Sequence, residues 1–233
     1  MKKIVITGGL GYIGTELCKI YSGISWNNKI TVIDNRFISE RVNQLRNWNI
    51  DFIEGDILDK DLINKHCQNA DIVHHLAGIT NVPRVKSESN ETHDNKITLV
   101  AEQGTQNILD AINDQCKIIM PSTHVVYEGI EKVKKDILEN EETNPILSYG
   151  KSKDINEKQL KASGKNYIIL RLGSVYGYST DTARIDIMAN FFSKMASQNG
   201  TLRLFAGGRQ LKSLVPLIDV ARCFKFMEER KDI

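Results

Sequence analysis

Four glycines crowd into one short stretch near the start of the chain. In KIVITGGLGYIG, from Lys3 to Gly14, they stand at positions 8, 9, 11 and 14, directly behind an apolar run. A sharp turn alone needs one or two, because glycine takes positive φ at little steric cost. This spacing also asks that something approach the backbone closely and that a helix begin at once. It reads either as Gly9-x-Gly11-x-x-Gly14 or as Gly8-x-x-Gly11-x-x-Gly14. In a dinucleotide-binding turn the early glycines admit a pyrophosphate, the last lets helix pack on strand, and the helix N-terminus faces the phosphates.

The surrounding pattern agrees. Ile4, Val5 and Ile6 read as a buried strand, and Tyr12 to Tyr21 as a helix with Ile13, Leu17 and Ile20 at helical spacing. A second strand, KITVID, ends at Asp34, twenty residues beyond Gly14. A carboxylate there suits the hydroxyls of an adenosine ribose. The plainer alternative is an Asp that caps a helix.

Strand-like runs recur as DFIEG, DIVHHLA, KIIMPS and YIILRLG. Amphipathic segments lie between them, at Asp59–His66, Asn95–Asn113 and Ser148–Leu160. Alternating strand and helix with strongly apolar strands predicts a parallel sheet covered on both faces, with ligands at the carboxyl ends of the strands. The expected fold class is α/β, a Rossmann-type doubly wound parallel sheet over residues 1–177. A small, incomplete C-terminal part over 178–233 follows. There the pattern predicts a helix near Arg184–Ala196, a strand near Leu202–Phe205 and a helix from Asp219 to Glu229, which is expected to return to the first domain.

Composition narrows the class further. With 31 Lys+Arg against 29 Asp+Glu, charge supplies no argument for nucleic acid or membrane. Four cysteines, at 18, 67, 116 and 223, show no metal-type spacing and read as reduced thiols. No metal site is expected. No run approaches the ~20 apolar residues of a membrane span, and the first apolar run is too short for a signal peptide. A cytoplasmic protein is the expectation.

Of seven tyrosines, Tyr149 alone has a lysine four places on, in YGKSK. On a helix Tyr149 and Lys153 share a face. A phenol, with a pKa near ~10, is a poor base at neutral pH unless a cation favours the phenolate. Upstream, PSTHVVYEG follows a strand, so Ser122 and Thr123 emerge on the ligand side of the sheet. A hydroxyl there can hold a substrate hydroxyl, although Ser and Thr are also common turn residues. His124 reads either as a proton shuttle or as a hydrogen-bonded spacer.

Taken in order, TGGLGYIG, Asp34, GDI, HLAG, GTQNILDA, ST with VYEG, YGKSK and RLGSVYG resemble the extended short-chain dehydrogenases/reductases, in particular the NAD-dependent nucleotide-sugar epimerase/dehydratase family. The resemblance runs from Lys3 to about Glu229. It implies a catalytic set of Thr123, Tyr149 and Lys153. It places NAD against Gly8, Gly11, Tyr12, Ile13 and Gly14, then Asp34 and Asn35, Asp56 and Ile57, and Leu76, Ala77 and Gly78, with Tyr149 and Lys153 at the nicotinamide end. Substrate contacts fall on His124, Ser174, Asn190, Arg209 and Lys212.

The implied activity is oxidation at carbon 4 of a nucleotide-linked sugar by a 4-dehydrogenase or 4-epimerase, on a GDP-, UDP- or dTDP-hexose or heptose. A 4,6-dehydratase, a keto-sugar reductase and a non-catalytic dinucleotide sensor are the alternatives. A homodimer through the helices Asn95–Asn113 and Ser148–Leu160 is implied as well. The chain departs from the family at Ala101, where an Asn is common, at Ser174 and Tyr178 in place of Asn and Pro, and at Lys212 in place of a diphosphate-binding Arg, a role Arg209 is placed to share. Family members usually continue well past Ile233.

Overall fold

A computed structural model describes residues 1–24, 27–80, 89–131, 134–179, 184–209 and 211–230. Six parallel strands form the main sheet in the order β3-β2-β1-β4-β5-β6. They are β1 (Lys2–Thr7), β2 (Asn28–Asp34), β3 (Asp51–Glu54), β4 (Ile72–His75), β5 (Lys117–Thr123) and β6 (Asn166–Leu172). The order reverses direction between β1 and β4, where Thr7 pairs with Ile33 on one side and His75 on the other. An open parallel sheet leaves its ligand crevice at such a point.

Each face of the sheet has its own core, because successive side chains of a strand point to opposite faces. Ile4 and Ile6 of β1 join a cluster closed by helices α1 (Tyr12–Ser22), α2 (Ser39–Asn47) and α7 (Leu217–Met227). Val5, between them, joins the opposite cluster, closed by α3 (Lys60–Cys67), α4 (Glu91–Ala111) and α5 (Ser148–Ala162). Val220, Ala221 and Phe224 of α7 are fully buried in the first cluster, so the chain returns to the sheet after its excursion through α6 (Met188–Ser197).

Several boundaries differ from expectation for local reasons. Helix α4 starts four residues before Asn95, because the Asn90 side chain accepts the Thr92 and His93 N–H groups at 3.0 and 3.3 Å and caps it. Helix α2, with only Arg41, Val42 and Leu45 buried, is too polar for its periodicity to stand out in the sequence.

The strand expected at Leu202–Phe205 does not form. Residues 201–204 have no regular structure and a 3-10 turn occupies Phe205–Gly208, where Gly207 and Gly208 have φ of 65° and 71°. The positive φ values turn the chain just past this segment, and Leu202 and Leu204, which a buried strand would cover, are exposed. Instead β7 (Ser174–Tyr176) pairs in parallel with β8 (Leu214–Pro216), each three residues long. No helix among the described residues is long and apolar enough to cross a membrane.

Candidate active site

A cleft of about 1060 Å³ runs along the carboxyl ends of the strands. Its first wall is the glycine turn. Gly8 sits at φ 72°, and a Cβ on it would lie 2.7 Å from the Ala77 backbone nitrogen. A Cβ on Gly14 would lie 2.6 Å from Gly8 O and from Gly9 Cα. Gly11 is the N-cap of α1 and brings no side chain to it, while Tyr12, Ile13 and Gly14 of the first turn line the cleft. A helix N-terminus left uncovered in this way is suited to phosphate oxygens.

At the end of β2 the Asp34 carboxylate is buried and accepts the Leu10 N–H at 3.0 Å. Arg36 grips the same carboxylate through Nε at 3.1 Å and Nη2 at 3.2 Å. Asn35 donates to Asp56 at 2.9 Å, and Asp56 also accepts the Leu58 N–H at 3.0 Å. These residues and Ile57 form one end of the cleft. Leu76, Ala77 and Gly78 form its floor, held by Thr7: the Leu76 N–H donates to the Thr7 carbonyl at 3.0 Å and the Ala77 N–H to its hydroxyl at 3.3 Å.

Thr123, the last residue of β5, and Tyr149 and Lys153, on α5, line the other end. Lys153 reaches under Gly78, where a Cβ would stand 3.9 Å from its Nζ. Burial pulls the Lys153 ammonium down to about 8, with the Glu157 carboxylate opposing. Burial raises the Tyr149 phenol, and the cation that opposes this is Arg184. The 3-10 turn His124–Tyr127 carries the chain away from Thr123. His124 faces the cleft and donates from Nδ1 to the Leu172 carbonyl at 3.1 Å, and Ser174 lines the same wall.

Arg184 was not singled out in the sequence. It lines the cleft and is held by Asp186 at 2.8 Å and by the Thr80 carbonyl at 3.3 Å. Nothing in its neighbours marks it, since it falls before a helix in an irregular stretch. Asn190 does not line the cleft. It organises the wall behind, accepting the Gly177 N–H at 2.9 Å and donating to the Arg184 carbonyl at 2.9 Å and the Tyr12 hydroxyl at 3.2 Å. Arg209 and Lys212 are exposed and lie outside the cleft lining. In this structure they do not meet the other residues expected to touch substrate.

The NAD dependent epimerase/dehydratase family model matches residues 4–233. A protein of Methanocaldococcus jannaschii provisionally named UDP-glucose 4-epimerase is 31% identical over 227 residues, which cover 94% of this chain and 71% of that protein. The dTDP-D-glucose 4,6-dehydratase of Dictyostelium discoideum is 25% identical across the whole chain, which spans 57% of its length. Among solved structures, a Bacillus cereus UDP-glucuronic acid 4-epimerase in complex with UDP-glucuronic acid and NAD superposes with a TM-score of 0.81 at 27% identity, covering 99% of this chain and 74% of that one. This chain is therefore a member of the NAD dependent epimerase/dehydratase family.

Proposed function

We propose that the protein oxidises carbon 4 of a nucleotide-linked hexose or heptose, as a 4-epimerase or a 4-dehydrogenase, with Tyr149 as the base. The observation that carries this reading is the meeting of Tyr149, Lys153 and Thr123 in the cleft that also holds the glycine turn and Asp34. The residues present fit NAD. Gly8 and Gly14 let the turn close on itself and on Ala77 where a Cβ would clash, which brings Gly11 and the first turn of α1 to face the cleft, and a buried carboxylate closes the adenosine end. When bound, NAD supplies the hydride acceptor.

The chain supplies the rest. Thr123 holds the sugar hydroxyl, and Tyr149 takes its proton. Burial raises the Tyr149 phenol, so its conversion to a base depends on cations nearby: Lys153 one turn on along α5, and Arg184 across the cleft. Residues 178–233 add a second wall through Arg184, Ile187 and Met188, and we assign the substrate to that side.

A 4,6-dehydratase must also move a proton at carbon 5 and protonate the hydroxyl leaving carbon 6. In dehydratases of this family an Asp-Glu pair directly after the catalytic Thr does this. Here those positions are His124 and Val125, and valine transfers no proton. Chemistry confined to carbon 4 needs neither group.

The test is incubation with NAD and a panel of GDP-, UDP- and dTDP-sugars, followed by mass spectrometry and absorbance of reduced nicotinamide. The expected product is an isomer of unchanged mass or a sugar lighter by two hydrogens. Loss of water overturns the restriction to carbon 4. NAD binding without reaction on any sugar replaces the enzyme with the non-catalytic reading.

A further inference from the structure

Glu157 lies one helical turn beyond Lys153 on α5, with its carboxylate only 2% exposed. Its partners come from other elements. Ser122 of β5, the residue before Thr123, donates to Oε1 at 2.5 Å. Arg171 of β6 donates from Nε at 2.9 Å and Nη2 at 2.5 Å, one bond to each oxygen. Arg171 is fixed in turn by the Glu139 carbonyl at 2.9 Å and by Tyr127, whose hydroxyl it reaches and whose ring lies 5.1 Å below its guanidinium.

A buried ion pair of this kind is weak evidence for stability, because desolvation offsets most of its attraction. Its position suggests another use. We propose that Glu157 is a positioning residue for the reaction site: its carboxylate, held by Arg171 and Ser122, keeps the buried amine of Lys153 charged where the amine enters the cleft. This rests on the role of Lys153 given above and deepens it.

The other charged groups around Lys153 do not replace Glu157. Burial holds His75, on β4, neutral, with a pKa lowered to about 3, and Lys153's own charge adds to that. Asp154 turns to Thr143 and Lys158, at 2.6 and 2.7 Å. Lys161 sits 3.4 Å from Glu157 itself. Across the cleft stand Arg184, Lys96, His93 and His124, which bring no negative charge. Asp34 and Asp56 close the opposite, adenosine end. Burial is the force that drives the Lys153 amine towards neutrality, and Glu157 opposes it.

The two members of the pair predict opposite effects. Glu157→Gln removes the negative charge and makes the Lys153 amine easier to deprotonate. Arg171→Gln removes the positive charge that offsets Glu157, so the amine holds its proton as well as before or better. A structural disturbance would move both variants the same way.

The readout is the rate at which Lys153 is acetylated by short pulses of acetic anhydride between about pH 6 and pH 10, measured by mass spectrometry of its peptide. Glu157→Gln should lower the midpoint by about one pH unit, while Arg171→Gln holds or raises it. A midpoint that Glu157→Gln leaves in place, or that both variants lower alike, overturns the proposal. If Glu157→Gln alone fails to fold, the double variant E157Q/R171Q, which buries no unpaired charge, must show a midpoint below that of Arg171→Gln, and equal midpoints there overturn the proposal; if Arg171→Gln alone fails to fold, the midpoint of Glu157→Gln against the parent decides it. Labelling needs neither NAD nor sugar. A midpoint that follows Glu157 in a protein that turns over no sugar nucleotide would fault the functional reading and leave this one standing.

Discussion

Single residues at the cleft divide into groups that react and groups that hold their neighbours in place, and substitution separates the two. Tyr149→Phe removes one hydroxyl and almost no volume. It should cost about 10²–10⁴-fold in turnover while NAD still binds, as seen by fluorescence of reduced nicotinamide; near-wild-type turnover would remove Tyr149 as the base. His75 belongs to the second group. Its ring is fully buried between the Thr7 hydroxyl at 3.0 Å and the Thr105 hydroxyl at 2.9 Å, and burial lowers its pKa from 6.5 to about 3. The folded state therefore excludes a proton that the unfolded chain accepts below about pH 6.5. The associated stability is complete above that pH and falls as pH drops towards about 3, by up to about 1.4 kcal/mol per pH unit. His74 is buried to the same extent, but it lies 3.0 Å from Glu228, whose carboxyl burial pushes up to about 8. Proton release from Glu228 on unfolding offsets uptake at His74 over much of this range, which leaves His75 uncompensated. Urea titrations from about pH 7 to about pH 4 should show a shallower loss of stability in His75→Asn than in the parent, and parallel slopes would refute the assignment.

At the level of elements, legibility followed from length and from the company each residue keeps. The central strands of the main sheet were readable because buried parallel strands are nearly continuous apolar runs, whereas the edge strand β3 has no buried residue and shows only Phe52 and Ile53. Gly8 to Gly14, Asp34, Thr123 and Tyr149 were readable as a group because the βα order forces them to one edge of the sheet. Helix α2 and the pair β7–β8 were not: one is too polar, and the others are three residues long. The register of β7 on β8 depends on a contact between segments some forty residues apart, which no local pattern reports. Arg209 and Lys212 were placed by resemblance alone, and the turn at Phe205–Gly208 carries that segment away from the cleft lining. Helix α7 shows the opposite case. Its pattern in the sequence is short, yet Phe224 is fully buried and its ring lies 5.8 Å from that of His74. If α7 is part of the core rather than of a separate substrate unit, Phe224→Ala should cost about 3–5 kcal/mol in urea unfolding, in one transition with the rest of the molecule. A loss under about 1 kcal/mol, or a separate early transition, would detach α7 from the sheet.

For the molecule as a whole the open quantity is its oligomeric state. The expected homodimer runs through α4 and α5, which pack against each other through polar contacts: Asn156 to the Ala101 carbonyl at 2.8 Å, Gln159 to the Glu102 carbonyl at 2.9 Å and Ser148 to Asp94 at 2.5 Å. Most of their apolar residues are already committed, and Ile155 of α5 is half-buried outside both cores. Ile97, Ile108, Leu109 and Leu160 are buried, and Leu99, although 54% exposed, lines the cleft. What faces outward is Gln106, Asp110, Lys151 and Lys158. A dimer across this surface is therefore built mainly from hydrogen bonds and exposed charge, and salt should weaken it, because exposed charges are screened within about 8–10 Å at physiological ionic strength. Exposed apolar surface collects elsewhere: α6 has no buried residue, and Phe191, Leu204 and Leu211 stand open to solvent. Association through that region would be apolar and would persist in salt. Sedimentation at micromolar concentration across a salt series separates the cases. A dimer that dissociates as salt rises supports α4 and α5, and Asp110→Lys should then shift its midpoint while Phe191→Ser does not. A dimer indifferent to salt and broken by Phe191→Ser moves the interface to α6, and a monomer at every salt concentration rules out both surfaces.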